Sequence, residues 1–296
     1  MKYSIIIYSI IFSVVFTQIP RQYKFQNENP LMRFENNTEY GLNSNSIIDI
    51  RLIDSTYLLL STPNGLNYVE IYDLHPDSVT FGHFNKDSVA LPRGGVPALA
   101  VKENILVISG LLDTNVVTGE ELMGTGISYS IDTGENWRYL PQPIDEIPEN
   151  GLYKTFVWGG QNVSALSVTT EINNISYDLA IDENYIYAAS WAGGLRRYGP
   201  IYENQKSWQI IPLPMDSDDS LICGLIDFDY EINARDPWDG IKEFDDTLGA
   251  YGSHNHKGFG VYVVDDTIWA GTANGINKGI IESDCINWAK HFTSEG

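Results

Sequence analysis

The side chains best suited to chemistry gather late in the chain, in DSDDS (216–220), DFDYEINARDPWDGIKEFDD (227–246) and GSHNHKG (252–258). Asp236, Asp239, Asp245 and Asp246 offer hard oxygen ligands suited to Ca²⁺, and His254 and His256 offer imidazoles suited to a transition metal. None of their spacings follows an EF-hand or a zinc signature. The residues therefore read first as a solvated acidic loop, with Ca²⁺ as the one ligand left open and no other cofactor expected. A Ser-His-Asp order, a phosphate-binding glycine loop and a Cys-x-x-Cys pair are all missing from the sequence. GGQNVS (159–164) is a loop signal without the strand-to-helix context that phosphate binding needs.

Loops that carry such groups need a rigid support, and the rest of the chain supplies one by repetition. LLLSTPNGLNYVEI (58–71), MGTGISYSI (123–131), YAASWAGGLRRYG (187–199) and WAGTANGINKGII (269–281) each run from an apolar segment through a glycine into a second strand-like segment. The shared glycines are Gly65, Gly126, Gly194 and Gly275, and the steps between them exceed the roughly 40 to 50 residues of compact propeller repeats. Insertions must supply the excess. Ahead of each glycine an alternating strand A (46–54, 96–103, 176–183, 259–266) turns through an acidic or Asn-bearing pair into strand B. Behind it strand C leads to a strand D with an aromatic residue: Phe81, Trp137, Trp208 or Trp288. Short strands bounded by turn signals, with almost no helical period between them, predict an all-β chain of four-stranded antiparallel sheets.

One turn carries a resemblance. Ser130-Ile-Asp132-Thr-Gly134-Glu-Asn-Trp137 completes the pattern Ser-x-Asp-x-Gly-x-x-Trp and resembles the Asp-box, or bacterial neuraminidase repeat. The joint TIWAGTANGI (267–276) is similar to the two-component-regulator propeller repeat, Trp-x-Gly-Thr-x-x-Gly-Leu. Together these resemblances cover roughly residues 40–296 and imply a secreted bacterial β-propeller, about four blades of which are present (41–90, 91–143, 174–214 and 257–296). In the box, Asp132 is expected to accept backbone N–H groups, Gly134 to take a positive φ and Trp137 to plug the space between sheets, a structural role. The turns at 201–208 and 281–288 keep only the Trp.

Likeness to sialidases implies an arginine cluster, a Tyr–Glu nucleophile assembly and an Asp acid. The eight arginines stand at 21, 33, 51, 93, 138, 196, 197 and 235, and Arg138, Arg196 and Arg197 fall on strands C or D, away from the inner A strands. No paired carboxyl groups are marked out either, so a glycoside hydrolase is only the last alternative. The expectation is a non-enzymatic recognition module for a polypeptide or glycan. Likeness to the regulator repeat adds a second alternative, the periplasmic sensor of a larger signalling protein.

In an up-and-down sheet the B–C loops and D–A connections open on one rim. The long inserts, 111–124 (B–C), 141–175 (D–A) and 214–257 (D–A), all fall there, which makes that rim the expected ligand surface. Its candidate contacts are Phe156, Trp158, Asp236, Trp238, Asp239, Tyr251, His254 and His256, although the aromatics serve packing equally well.

Residues 1–17, with Lys2 ahead of the apolar run 5–16, read as a secretory signal too short to span a bilayer, followed by a linker (18–28). Residues 29–36 resemble the final 287–292 segment and are expected to form a D strand whose own blade lies beyond Gly296. Thirty-nine acidic against 18 basic residues give a net charge of −21, which excludes a nucleic-acid phosphate partner. The two cysteines, Cys223 and Cys285, are assigned to different kinds of segment and are expected to remain thiols.

Overall fold

The computed structural model describes residues 41–71, 79–84, 90–116, 119–147, 153–216, 218–224, 231–232, 254–282 and 285–294. Alternating apolar residues there form four antiparallel sheets, each a simple meander. Blade 1 comprises β1 (Asp49–Asp54), β2 (Tyr57–Thr62), β3 (Gly65–Ile71) and β4 (Val79–His83). Blade 2 comprises β5 (Leu99–Lys102), β6 (Ile105–Val116), β7 (Gly119–Ser130) and β8 (Arg138–Leu140). The second insert forms β9 (Tyr153–Trp158) and β10 (Gln161–Leu166). Blade 3 holds β11 (Ser176–Ile181), β12 (Ile186–Ser190), β13 (Gly194–Gly199) and β14 (Ser207–Ile211). A two-residue strand, β15 (Glu231–Ile232), precedes blade 4: β16 (Gly258–Val264), β17 (Thr267–Thr272), β18 (Gly275–Ile281) and β19 (Ile286–Phe292).

The first strand of each blade lies beside the next, β1 by β5, β5 by β11 and β11 by β16, so the sheets follow one another around a hub. This succession of up-and-down blades is a β-propeller. The core lies in three layers between blades. Leu59 and Leu66 meet Leu99, Leu106, Ile108 and Trp137 at the first joint. Val107, Ile127 and Tyr129 meet Leu179 and Ile186 at the second. Tyr187, Ala189 and Leu195 meet Val261, Ile268 and Trp288 at the third. The four repeat glycines take φ of +124°, +108°, +65° and +125°, a region that L side chains adopt only under strain. At Gly275 an added Cβ would come within 2.0 Å of the Phe292 carbonyl oxygen, so this turn needs glycine twice over.

Behind three of these turns, those of blades 1, 3 and 4, lies a polar lock. Asn255 Oδ1 accepts from Thr272 Oγ1 and from Asn277 Nδ2, both at 2.7 Å, while Asn255 Nδ2 donates to the Pro214 carbonyl. Asn43 repeats the arrangement with Thr62 and Asn67 in blade 1. In blade 3 Asn174 accepts from Ser190 Oγ and donates to the Pro143 carbonyl. The locks fix strand A to the B–C turn of its own blade, with almost every polar atom paired inside the protein.

Two expectations about the inserts change. Residues 111–116 and 119–124 are not loop: they extend β6 and β7 as paired strands, and Gly124 N–H and Asn173 N–H tie them to the next connection through Glu171 and Leu122 carbonyls. Residues 153–166 form a hairpin about Gly159 and Gly160, both at positive φ, as a two-residue turn between twisted strands demands. β15 adds to β10 in parallel, completing a three-stranded sheet.

The expectation of two free thiols is overturned. Cys223 and Cys285 form a disulfide. Leu221 and Trp288 exchange backbone hydrogen bonds, which lays the insert along β19 and brings the Cα atoms of the two cysteines to 6.3 Å.

Candidate functional site

The rim that bears the inserts also carries an aromatic group at the hub. β11 and β16 each bulge near their start, between Ser176 and Asp178 and between Gly258 and Gly260. A bulge re-aims the extra side chain, here Tyr177 and Phe259. Their rings lie 5.8 Å apart, and Trp191, from the B–C turn of blade 3, lies 5.3 Å from Phe259. Phe259 is exposed, Trp191 and Tyr177 half-buried, and burial raises the Tyr177 phenol above its usual range. The Lys257 ammonium sits 4.8 Å over the Trp191 ring. Burial lowers its pKa, against the pull of the Asp216 carboxylate.

Asp178, between the bulged Tyr177 and the joint, is held from both sides. Its carboxylate accepts from Leu179 N–H and, across the joint, from Val261 N–H, each at 2.9 Å. Burial nevertheless raises its pKa, the two N–H groups and Arg51 opposing. Arg51 pairs with Asp49 at 2.7 Å on the innermost strand of blade 1. The hub end of this rim thus combines aromatic faces with the Lys257 ammonium and the half-buried Asp178 carboxylate.

The residues picked out from sequence are dispersed. Trp158 is buried, its ring 4.9 Å from the Arg197 guanidinium, which also lies 4.4 Å over Tyr185. Phe156 is half-buried against the same cluster. His256 is buried in a short 3₁₀ turn, His254–His256, and its Nε2 accepts from Leu213 N–H. Burial lowers its pKa to about 4, more than the Asp216 charge can restore. His254 is half-buried, and its backbone N–H, with that of Asn255, donates to Asp216. Asp236, Trp238, Asp239, Asp245, Asp246 and Tyr251 lie outside the described residues. Among the described residues the group of potential ligands close enough to hold an ion is Cys223, Glu282 and Cys285, and its sulfurs are joined to each other.

In the turn after β7, Ser130 Oγ donates to Asp132 Oδ1 and accepts from Gly134 N–H. Asp132 also accepts from Asn136 N–H and Nδ2. These bonds, Ser130's first, hold its pKa down at about 2. Trp137 is buried edge-on to Phe84 of blade 1.

Arginine placement bears on hydrolase chemistry. Arg196 and Arg197 are buried, and Arg196 makes a two-pronged ion pair with Asp145 at 3.1 and 2.7 Å. Asp145 also accepts from Val168 N–H and from Lys154. Although burial raises its pKa, the Arg196 hydrogen bonds and charge dominate and hold it below the usual carboxylate range. The pair joins the second insert to β13, and Asp145 carried no signal in the sequence beyond its charge.

The hub, the meanders and the joints define the class: an all-β propeller, with four four-stranded antiparallel blades among the described residues. No family model matches the chain, and no curated protein matches it. Among solved structures, the computationally designed Ika4 protein aligns with 82% of this chain and 94% of its own, at 12% identity and a TM-score of 0.35. The designed Ika8 protein aligns with 84% of this chain and 64% of its own, at 10% identity and a TM-score of 0.32. The extracellular domain of the hybrid two component system BT4673 from B. thetaiotaomicron aligns with 80% of this chain, at 16% identity and a TM-score of 0.30. This chain spans only 28% of that one. No helix of the described residues is long and apolar enough to cross a membrane.

Proposed function

We propose that the protein is an exported, non-enzymatic recognition module that binds a polypeptide or a glycan on its insert-bearing rim. The observation that carries this reading is the group of Tyr177, Trp191 and Phe259 at the hub end of that rim, with Lys257 beside it. Aromatic faces held by bulges on rigid strands stack on apolar ring or side-chain surfaces at low entropic cost. Export rests on the apolar run at residues 5–16. The sensing module of a larger signalling protein is the alternative, drawn from joints of the TIWAGTANGI type.

The test is binding of the full chain to glycan and peptide arrays, repeated with Trp191→Ala, Phe259→Ala and Tyr202→Ala. Tyr202 is exposed on the C–D turn of blade 3, at the opposite rim. The reading expects ligands lost with the first two substitutions and kept with the third. Ligands untouched by Trp191→Ala and Phe259→Ala, or none on either array, refute it.

A further inference from the structure

The Asp178 carboxylate, at the hub end of the rim, is short of a positive charge. Its two oxygens accept from Leu179 N–H and Val261 N–H, both of them neutral donors. Among the described residues it makes no ion pair. Arg51, whose charge reaches it, is bound at 2.7 Å to Asp49 on its own strand, and Lys257 lies over Trp191 under the pull of Asp216. Burial therefore outweighs these groups and raises the Asp178 pKa, as happens to a carboxylate whose desolvation is not offset by a cation.

The chain leaves this carboxylate open to a ligand. At the β16 bulge Gly260 carries no side chain, and a Cβ built there would meet, beyond its chain neighbours, only Asp178 Oδ2 within 4 Å, at 3.7 Å. Phe259, the residue before it, is 44% exposed and packs against Tyr177 and Trp191. An open spot bounded by a carboxylate and aromatic rings suits an ammonium or guanidinium group, which rings and carboxylate both attract. Each Asp178 oxygen keeps a second lone pair for such a donor. A neutral sugar could stack on the same rings but would leave the charge uncompensated. An anionic glycan would add repulsion from a chain of net charge −21.

We infer that the hub end of the rim takes a lysine or arginine side chain of a partner polypeptide, its charge on Asp178 and its methylene stem against Phe259 and Tyr177. This rests on the reading of the rim as the ligand surface, and it selects polypeptide over glycan. The stem covers apolar ring surface while the charged head reaches the carboxylate, the division of labour that long basic side chains make elsewhere.

Fluorescence anisotropy of a labelled peptide of repeated Gly-Ser-Lys units, titrated with the full chain, tests this at an ionic strength that screens attraction to the distant charges. Acetylating the lysines, or substituting Asp178→Asn or Phe259→Ala, weakens binding about tenfold or more, the loss expected of one hydrogen bond to a charged group. Glu203→Gln removes one exposed charge on the C–D turn of blade 3, at the opposite rim, and leaves binding within about twofold. Thermal melting checks the fold of each variant. If Asp178→Asn unfolds, the acetylated peptide makes the same comparison on the parent chain. A parent that ignores the lysine peptide, an acetylated peptide bound as tightly, a folded Asp178→Asn that binds as the parent does, or Glu203→Gln costing as much as Asp178→Asn overturns the inference. Neutral or acidic glycans as the array ligands lost with Phe259→Ala also overturn it, and in that case the reading of the rim stands. Array ligands that survive both Trp191→Ala and Phe259→Ala bring down the two together.

Discussion

Replacing Arg196 with Met should destabilise the fold by about 3 kcal/mol, the low end of the roughly 3 to 5 kcal/mol expected when one partner of a buried ion pair is removed. The side chains of Asp145 and Arg196 are 1% and 4% exposed, so neither can turn to water when the other is lost. Two charge-assisted bonds at 3.1 and 2.7 Å disappear, and Asp145 keeps only Val168 N–H at 3.0 Å and the half-exposed Lys154 at 3.2 Å. Those survivors set the estimate at the low end. Urea unfolding followed by tryptophan fluorescence measures the change as a lower midpoint at constant slope. The double variant Asp145→Leu/Arg196→Met removes the stranded charge and should recover most of the loss. Sign follows from the depressed Asp145 pKa: the pair's contribution is complete above the ordinary carboxylate value of 3.8 and fades as pH falls through the lower folded value, so the parent and Arg196→Met curves converge in acid. A loss below about 1 kcal/mol, or a double variant as unstable as the single one, refutes the assignment of this pair as the tie between insert and blade.

Reducing the disulfide, or Cys223→Ser with Cys285→Ser, should cost up to about 4 kcal/mol by the loop-closure relation for a separation of 62 residues, read as a drop in melting midpoint. Because His256 stays neutral in the fold down to about pH 4, the unfolded chain takes up its proton first, and parent stability declines as pH drops from about 6.5 to 4. His256→Gln should flatten that limb of the stability–pH curve. Asn255→Ala strands the amide of the buried Asn277 inside blade 4, while Thr272 keeps the Gly275 carbonyl and Asn274 N–H, and should cost about 2 kcal/mol by urea unfolding, within the roughly 1 to 3 kcal/mol of one buried group left unpaired.

The blades were legible because their signals are local. Gly65, Gly126, Gly194 and Gly275 sit where a turn needs positive φ, and strand alternation on either side sets the register. What escaped depends on chain segments distant in sequence. The disulfide requires Leu221 to pair with Trp288, which no spacing announces. The locks were half visible in Thr62-x-Asn64-Gly65-x-Asn67 and Thr272-x-Asn274-Gly275-x-Asn277, but Asn43 and Asn255 stand 19 and 17 residues before their threonines, so no fixed motif spans them. The Gly159–Gly160 turn was read as an open loop although Phe156 and Trp158 alternate with Thr155 and Val157 around it. The aromatic group at the hub arises from two bulges, and a bulge adds a residue without changing composition.

The bond from Asn174 Nδ2 to the Pro143 carbonyl, and its counterpart from Asn255 to Pro214, have a practical consequence. Each of the two long D–A inserts leaves the propeller at a proline and returns at an asparagine to which it is stapled within 2.8 Å. The two stubs of each excursion are thus anchored independently of its length. These connections are ready-made docking ports, where a foreign hairpin or binding loop can be transplanted while the blades keep their spacing.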